Sequence, residues 1–486
     1  MAQPPAQPIA EFAPAPRRHA VWVGLLSLAA AVLYGTFSLQ QHRHLRTSAY
    51  DSVIFDQAVR AYARFGLPVV PVKGVHNELG SSFVLLGDHF SPVLALLAPV
   101  YWVWDDVPAM LLAQAVLFAS SVPLVWIFVR RLHGPVAGYL VAAAYALGWG
   151  FASALATDFH EVAFAVPLVA LALERAQARR PGSAALAALA LLAVKEDFGP
   201  FVAAFGVYLA VLGWRRLGAG LAVGGIAGFY LTTEVLIPHF GGHDFAYWSY
   251  AALGPDLPSA LWHVVRHPWE TLQLATHPEV KQRTLRWLFL PWGLLPLVSP
   301  IVLLTIPVLA ERLFSTNWHY WSTAFHYSAV LMPVLAMGAA DGLARLLRLA
   351  PGLGARTRRR IGVLAGAAAL VIAVAAVPQF AFGVLLDRGW WVRTPVMAAA
   401  SEITARVPDG VTIEADSRLG PHLTRRTHVL LLDQKPRGAP WVLIDIGARY
   451  FPFDHVSQAR DRYAALTATG YRVVAAAGGF RLLHRP

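Results

Sequence analysis

Carboxylates, histidines and a lysine recur in this chain at the ends of long apolar runs. Ionisable groups are costly in that setting and are kept for function or for pairing. Asp51 and Asp56 open a polar stretch near the N-terminus, and Gly87-Asp88-His89-Phe90-Ser91-Pro92 closes it. A carboxylate at a dry interface has a raised pKa and can take the proton of a hydroxyl, which makes Asp56, and beside it Asp51, candidate general bases. The two are five residues apart on a helical pattern and share no face, so this pair alone is a poor metal clamp; its plainer role is a helix cap or charged rim. Asp88 and His89 can work as an acid–base pair, or Asp88 or Ser91 can simply cap the helix that starts at Pro92.

Three later segments carry similar chemistry. Asp158-Phe159-His160-Glu161 places an Asp, a His and a Glu within one turn, where the plainer reading is a solvated helix end. Lys195-Glu196-Asp197 interrupts an apolar hairpin whose arms are short for full spans. Lys195 can hold an anionic lipid phosphate there while Glu196 or Asp197 acts as base or ligand; the plainer reading is a self-neutralising turn. His326-Tyr327-Ser328 opens a later apolar run and is otherwise an aromatic-belt position. Asp88, His89, His160 and Glu161, with the 196–197 carboxylates, could hold a divalent cation such as Mg or Mn, although no ligand spacing fixes such a set. Lys281, Arg283, Arg286 and Arg312 are candidate phosphate contacts or ordinary interfacial anchors. The candidate catalytic residues are thus Asp56, Asp88 and Glu196. Asp51, His89, His160, Lys195, Asp197, His326 and Tyr327 are candidate substrate contacts.

The elements that position these groups are membrane helices. The 486 residues are 57% hydrophobic and 14% charged, against about 25% charged in a soluble domain. The net charge of +12 sits in short Lys/Arg clusters between apolar runs. That is the pattern of cytoplasmic loops, and it argues against nucleic acid as a partner. With no cysteine, disulfides, thiolate catalysis and zinc–thiolate sites are excluded.

Residues 1–18 read as a disordered cytoplasmic tail. Residues 19–387 read as a transmembrane domain of about eleven helices, each needing about 20 apolar residues to cross. Its first outer loop is 40–106 and its second is 239–285. Pro92 to Trp104 is too short to span and is expected at the interface, with Trp102 and Trp104 at headgroup depth. That choice sets the parity: Arg130-Arg131, Arg175 to Arg180, Arg215-Arg216 and Arg345 to Arg360 then fall inside, and every polar motif falls outside. Of 18 histidines, only His19 and His133 lie on the inner side. Residues 286–314 are expected as a tight pair of spans broken at Ser299-Pro300. Residues 388–486 read as a small extracytoplasmic α/β domain, with strands at 411–415 and 441–445, helices at 398–406 and 456–469, and a closing hairpin at 471–481. No glycine-rich phosphate loop opens any of its helices.

Asp88 to Pro92, Phe159 to Glu161, Lys195 to Asp197 and His326 to Ser328, in this order, resemble the motifs of a family of polytopic membrane proteins defined as a domain of unknown function. Ser417 to Arg426 is similar to that family's C-terminal segment. That family in turn resembles the GT-C glycosyltransferase superfamily, with an acid in the first outer loop, interfacial helices there, many spans and often a C-terminal outer domain. The resemblance implies transfer of a sugar from a polyprenyl-phosphate donor to an acceptor of the cell envelope, with Asp56 or Asp51 in the place of the loop base. The paired Asp-Glu of protein mannosyltransferases is absent, and so is the long signature of oligosaccharyltransferases. Two alternatives stand beside this. A lipid or solute transporter or flippase would show an inverted repeat and charges at mid-membrane depth, and neither is evident. A non-catalytic envelope assembly protein would leave the motifs scattered.

Overall fold

The computed structural model describes residues 17–243 and 248–486. The expected tail therefore lies, except for its last two residues, outside the described residues. Arg17 and Arg18 already belong to the first helix, Arg17–Arg43. At about 1.5 Å per residue this helix is long enough to cross a hydrocarbon layer of about 30 Å.

Six helices among the described residues are long and apolar enough to cross a membrane: Arg17–Arg43, Val107–His133, Pro135–Leu155, Arg215–Gly241, His326–Arg348 and Ala355–Gln379. Shorter apolar helices at Pro92–Val103, Pro181–Ala193 and Phe198–Val211 join them. The expected count of about eleven spans is not established by this structure, which departs from the expectation most clearly at 286–314. Two spans were expected there. Instead, 3-10 turns at Leu290–Trp292, Leu295–Val298 and Pro300–Leu304 lead into one short helix, Thr305–Phe314. Pro291, Pro296 and Pro300 each remove a backbone donor, and Gly293 and Leu294 take left-handed backbone, so no continuous helix forms. The expected outer loop 239–285 is also more regular than a loop: its described residues include helices Leu257–Arg266, Pro268–Thr276 and Glu279–Phe289.

The bundle has two chemically different ends. Helix Val107–His133 starts beside the motifs, where Gln114 donates to the Asp158 carbonyl (2.8 Å) and accepts from the His160 N–H (2.9 Å). Seventeen residues on, about 25 Å away along the axis, Arg131 pairs with Glu174 (2.5 Å) and His133 donates to the Ala340 carbonyl (2.8 Å). Helix Ala165–Gln177 likewise begins after Glu161 and runs to Arg175, and helix His326–Arg348 begins at His326 and ends at Arg345 and Arg348. The motifs therefore gather at one end and the arginine-rich turns at the other.

The C-terminal part carries a five-stranded sheet. Its strands are β1 Thr412–Ala415, β2 His428–Leu431, β3 Trp441–Asp445, β4 Arg472–Ala477 and β5 Phe480–His484, in the spatial order β2-β1-β3-β5-β4. β1 is parallel to β2 and β3, whereas β5 runs antiparallel to β3 and β4. β2 was not anticipated; it is a short edge strand that packs on helix Pro71–His76 of the first loop. The sheet is not a separate appendage, because one apolar cluster runs from Val53 and Ala58 through Ile413, Ala415 and Val429. Gln57 ties three segments together: its side chain donates to the Val429 carbonyl (3.1 Å) and accepts from the Val72 N–H (3.0 Å). At Gly420 a side chain would not fit, since a Cβ there would lie 2.9 Å from Ala49 Cβ.

Candidate functional site

Asp51 lies in a single π-helical turn, Ala49–Val53, which leads into helix Ile54–Ala63. Such turns are rare and recur at functional sites. The Ser48 N–H donates to Asp158 (2.8 Å), which fixes the start of that turn against the second motif. Asp51 keeps 36% of its side chain open and stands 4.0 Å from His160 Nε2. It sits low in a recess, and burial pushes its carboxyl up to about 6; nearby Glu161 adds to this and Lys73 opposes it.

His160 and His326 stack with ring centroids 3.7 Å apart. The backbone before each is strained: Asp158 has φ 66° and Phe325 has φ 66°, ψ −178°. The second conformation is essentially restricted to glycine, and strain of this kind collects where the surroundings over-determine a geometry for function. Burial, with Lys195 and His89 adding, pushes His160 down to about 3, so its ring is neutral at ordinary pH. The Nδ1 atoms of both histidines and Oε2 of Glu161 are buried without a partner among the described residues. Unsatisfied buried polar atoms are uncommon, and three of them facing one cluster mark a place for a ligand.

Lys195 stands at the centre of this cluster, 3.0 Å from Asp197 and 4.0 Å from Glu161. A small cavity of about 50 Å³ opens beside it, lined by Lys195, Asp197, Glu311, His326 and Tyr327 among others. Glu196 faces the other way: it accepts from His89 Nδ1 (2.7 Å) and from the Phe90 N–H (3.0 Å). Asp88 pairs with Lys73 and lies 3.7 Å from His89 Nε2. The first, second, third and fourth motifs are thus in mutual contact.

Several expectations are corrected by this geometry. Asp56 lies fully buried away from the recess, with every acceptor position used. Arg60 grips it with two hydrogen bonds (2.6 and 3.0 Å), Tyr101 donates to it (2.9 Å) and Thr424 donates to it (2.7 Å). A carboxylate so saturated cannot accept a substrate proton, and it locks the first loop to the C-terminal part instead. Glu196 and Asp88 are likewise engaged by His89 and Lys73, which suits them to positioning rather than to base catalysis. Arg312 and Lys281 are structural. Arg312 donates to Ser328 and to the carbonyls of Tyr320 and Ser322, and Lys281 donates to the carbonyls of Leu274 and Leu313.

The proposed metal set also fails to assemble. Among the described residues no group of three or more His, Asp or Glu side chains is placed to hold a metal ion. His89 is turned to Glu196, His160 is stacked on His326, and the Lys195 ammonium already supplies positive charge beside Glu161. Lys73, Gln114 and Glu311 were overlooked in the sequence. Lys73 is a lone charge inside an apolar stretch and Glu311 stands beside Arg312 in another, a signal that could have found them; Gln114, a neutral amide within a span, gave less.

The chain thus has helices long and apolar enough to cross a membrane, short helices after the first one and a small C-terminal sheet, with its polar motifs gathered at one end. It superposes on the crystal structure of ArnT from Cupriavidus metallidurans bound to undecaprenyl phosphate with a TM-score of 0.56, at 15% identity, over 96% of this chain and 98% of that one. The apo form of ArnT from the same organism superposes with a TM-score of 0.56 at 14% identity, over the same shares. At the level of sequence the chain belongs to the family described as "Predicted membrane protein (DUF2079)", which it matches over residues 41–482. No curated protein sequence matches it.

Proposed function

We propose that this membrane protein is a glycosyltransferase that moves a sugar from a polyprenyl-phosphate donor to an acceptor hydroxyl outside the cytoplasm. The observation that carries the reading is the convergence, in one side-chain cluster, of a partly open carboxylate of raised pKa (Asp51), a buried lysine (Lys195) and an unpartnered buried carboxylate oxygen (Glu161). The likeness to a protein bound to undecaprenyl phosphate supports a lipid-phosphate donor. The arginine-rich end of the bundle faces the cytoplasm in this reading, and the motif end with the C-terminal sheet faces outward.

The chemistry follows from the groups present. The acceptor oxygen forms the new bond to the anomeric carbon, and its proton passes to Asp51. The bond between the anomeric carbon and the phosphate oxygen breaks, and its electron pair leaves with polyprenyl phosphate, whose growing charge Lys195 stabilises. The sugar becomes cation-like as the old bond lengthens, and the free oxygen of Glu161 is placed to favour that charge. His89 and Glu196 hold the Asp88–Phe90 wall, and the neutral His160–His326 stack shapes the floor. No step is assigned to a metal, because the donor set does not assemble for one.

The test is transfer of labelled sugar from a panel of polyprenyl-phosphate donors to envelope fractions by the purified protein in vesicles, with release of polyprenyl phosphate followed in parallel. Equimolar labelled product and polyprenyl phosphate are expected, and Lys195→Gln should raise the donor KM. Absence of product with every donor, or an unchanged donor KM in that variant, overturns the reading.

A further inference from the structure

A second cavity, of about 500 Å³, lies where the first membrane helix meets the C-terminal part. Its walls are the end of helix Arg17–Arg43 with His44, the turn Arg388–Trp391, helix Pro395–Ala405 and His422. It shares no lining residue with the cavity beside Lys195.

The charge on this cavity is one-sided. Arg43 and Arg393 line it, and neither has a carboxylate partner among the described residues. No Asp or Glu lines it; Glu402, on the bordering helix, is exposed and stands outside the lining. Its aromatic wall is rigid. His44 stacks on Trp390 at 4.0 Å and 3° and hydrogen-bonds to the Trp390 carbonyl (2.8 Å), while the Arg46 guanidinium also lies over the Trp390 ring, at 4.6 Å. Trp390 Nε1 and His422 Nε2 are both buried on this wall without a partner. The rim is apolar and open, with Trp391 51% and Val392 61% exposed. Exposed basic groups at the mouth of a cavity, bordered by exposed tryptophan and aliphatic side chains at a helix end, describe a site at headgroup depth.

We infer that this cavity binds a phosphate group, presented by an anionic lipid headgroup or as free phosphate, with Arg43 and Arg393 as its charged contacts. Guanidinium groups suit this because their donors match phosphate oxygens in pairs. The inference stands independently of the transfer reaction.

The experiment uses the full chain in neutral detergent, with native mass spectrometry and hydrogen exchange over residues 388–404 as readouts. The probes are short-chain phosphatidylglycerol, short-chain phosphatidylcholine and inorganic phosphate. Phosphatidylglycerol is expected to bind and to slow exchange in that segment, and the zwitterionic lipid is not. Arg43→Gln with Arg393→Gln should weaken binding by about tenfold or more. Protection by inorganic phosphate as well assigns the contact to the phosphate itself; protection by phosphatidylglycerol alone assigns it to the lipid. Should the double variant fold poorly, Arg393→Gln alone, at an exposed position, tests the same contact. Equal binding of the two lipids together with no effect of phosphate, or undiminished binding in the arginine variants, overturns the inference.

Discussion

Asp51 and Asp56 are the same residue type, five positions apart on one turn of π-helix and the helix that follows, and they end in opposite environments. Asp56 is enclosed by Arg60, Tyr101 and Thr424, with donors on both oxygens. Asp51 stands 4.0 Å from the neutral ring of His160, and part of its side chain stays open. The first arrangement fastens the loop to the C-terminal sheet. The second leaves a carboxylate with unfilled capacity, the condition a base requires; burial raises the carboxyls of both, so the open acceptor sites are what distinguish Asp51. What separates a structural carboxylate from a reactive one here is how many donors reach it, not how deeply it is buried.

The largest expected effect comes from the open member. Asp51→Asn should lower the transfer rate by about 10²–10⁴-fold while leaving the thermal midpoint nearly unchanged; a variant as active as the wild type would end the comparison. Asp56→Asn should do the reverse. It should reduce stability by about 3 kcal/mol, because a buried ion pair loses one partner, and the surviving folded fraction should retain its donor KM. Unfolding followed by intrinsic fluorescence in detergent checks this.

Gly420→Val tests the joint that Asp56 helps to close. Its side chain would press on Ala49 and Val429, and a loss of about 2 kcal/mol is expected for such overpacking. Transfer should fall with it if the π-turn bearing Asp51 is displaced. The smallest effect is on pH dependence. Asp51 must be deprotonated to accept a proton and its carboxyl lies at about 6, so kcat/KM should be flat above that value and fall about tenfold per unit below it. An inflection near the usual carboxylate range of about 4 would place the base elsewhere.

Much of the fold was legible in the chain because apolar run length is a direct physical requirement of a bilayer. The helix beginning near His19, the short apolar helix at Pro92–Val103 and the strands at β1 and β3 all follow from local pattern. The region 286–314 was less legible: its composition is apolar enough for two spans, but closely spaced prolines and left-handed residues break it into turns. β2 escaped notice because a four-residue edge strand carries little periodicity.

At the candidate site, residue type and order alone marked Asp51, His89, His160, Lys195 and His326, since charges at the ends of apolar helices stand out against their surroundings. Which of them pair could not be read that way. The saturation of Asp56 depends on Thr424, which is 368 residues away. The hold of Glu196 on His89 spans 107 residues, and the stacking of His160 on His326 needs two helices brought side by side. The sequence by itself determined a membrane protein with its Asp, Glu, His and Lys motifs set apart from its arginine-rich turns. Only the tertiary structure decided which carboxylate is closed by its neighbours and which is left open, because hydrogen-bond saturation is set by partners that meet across the fold.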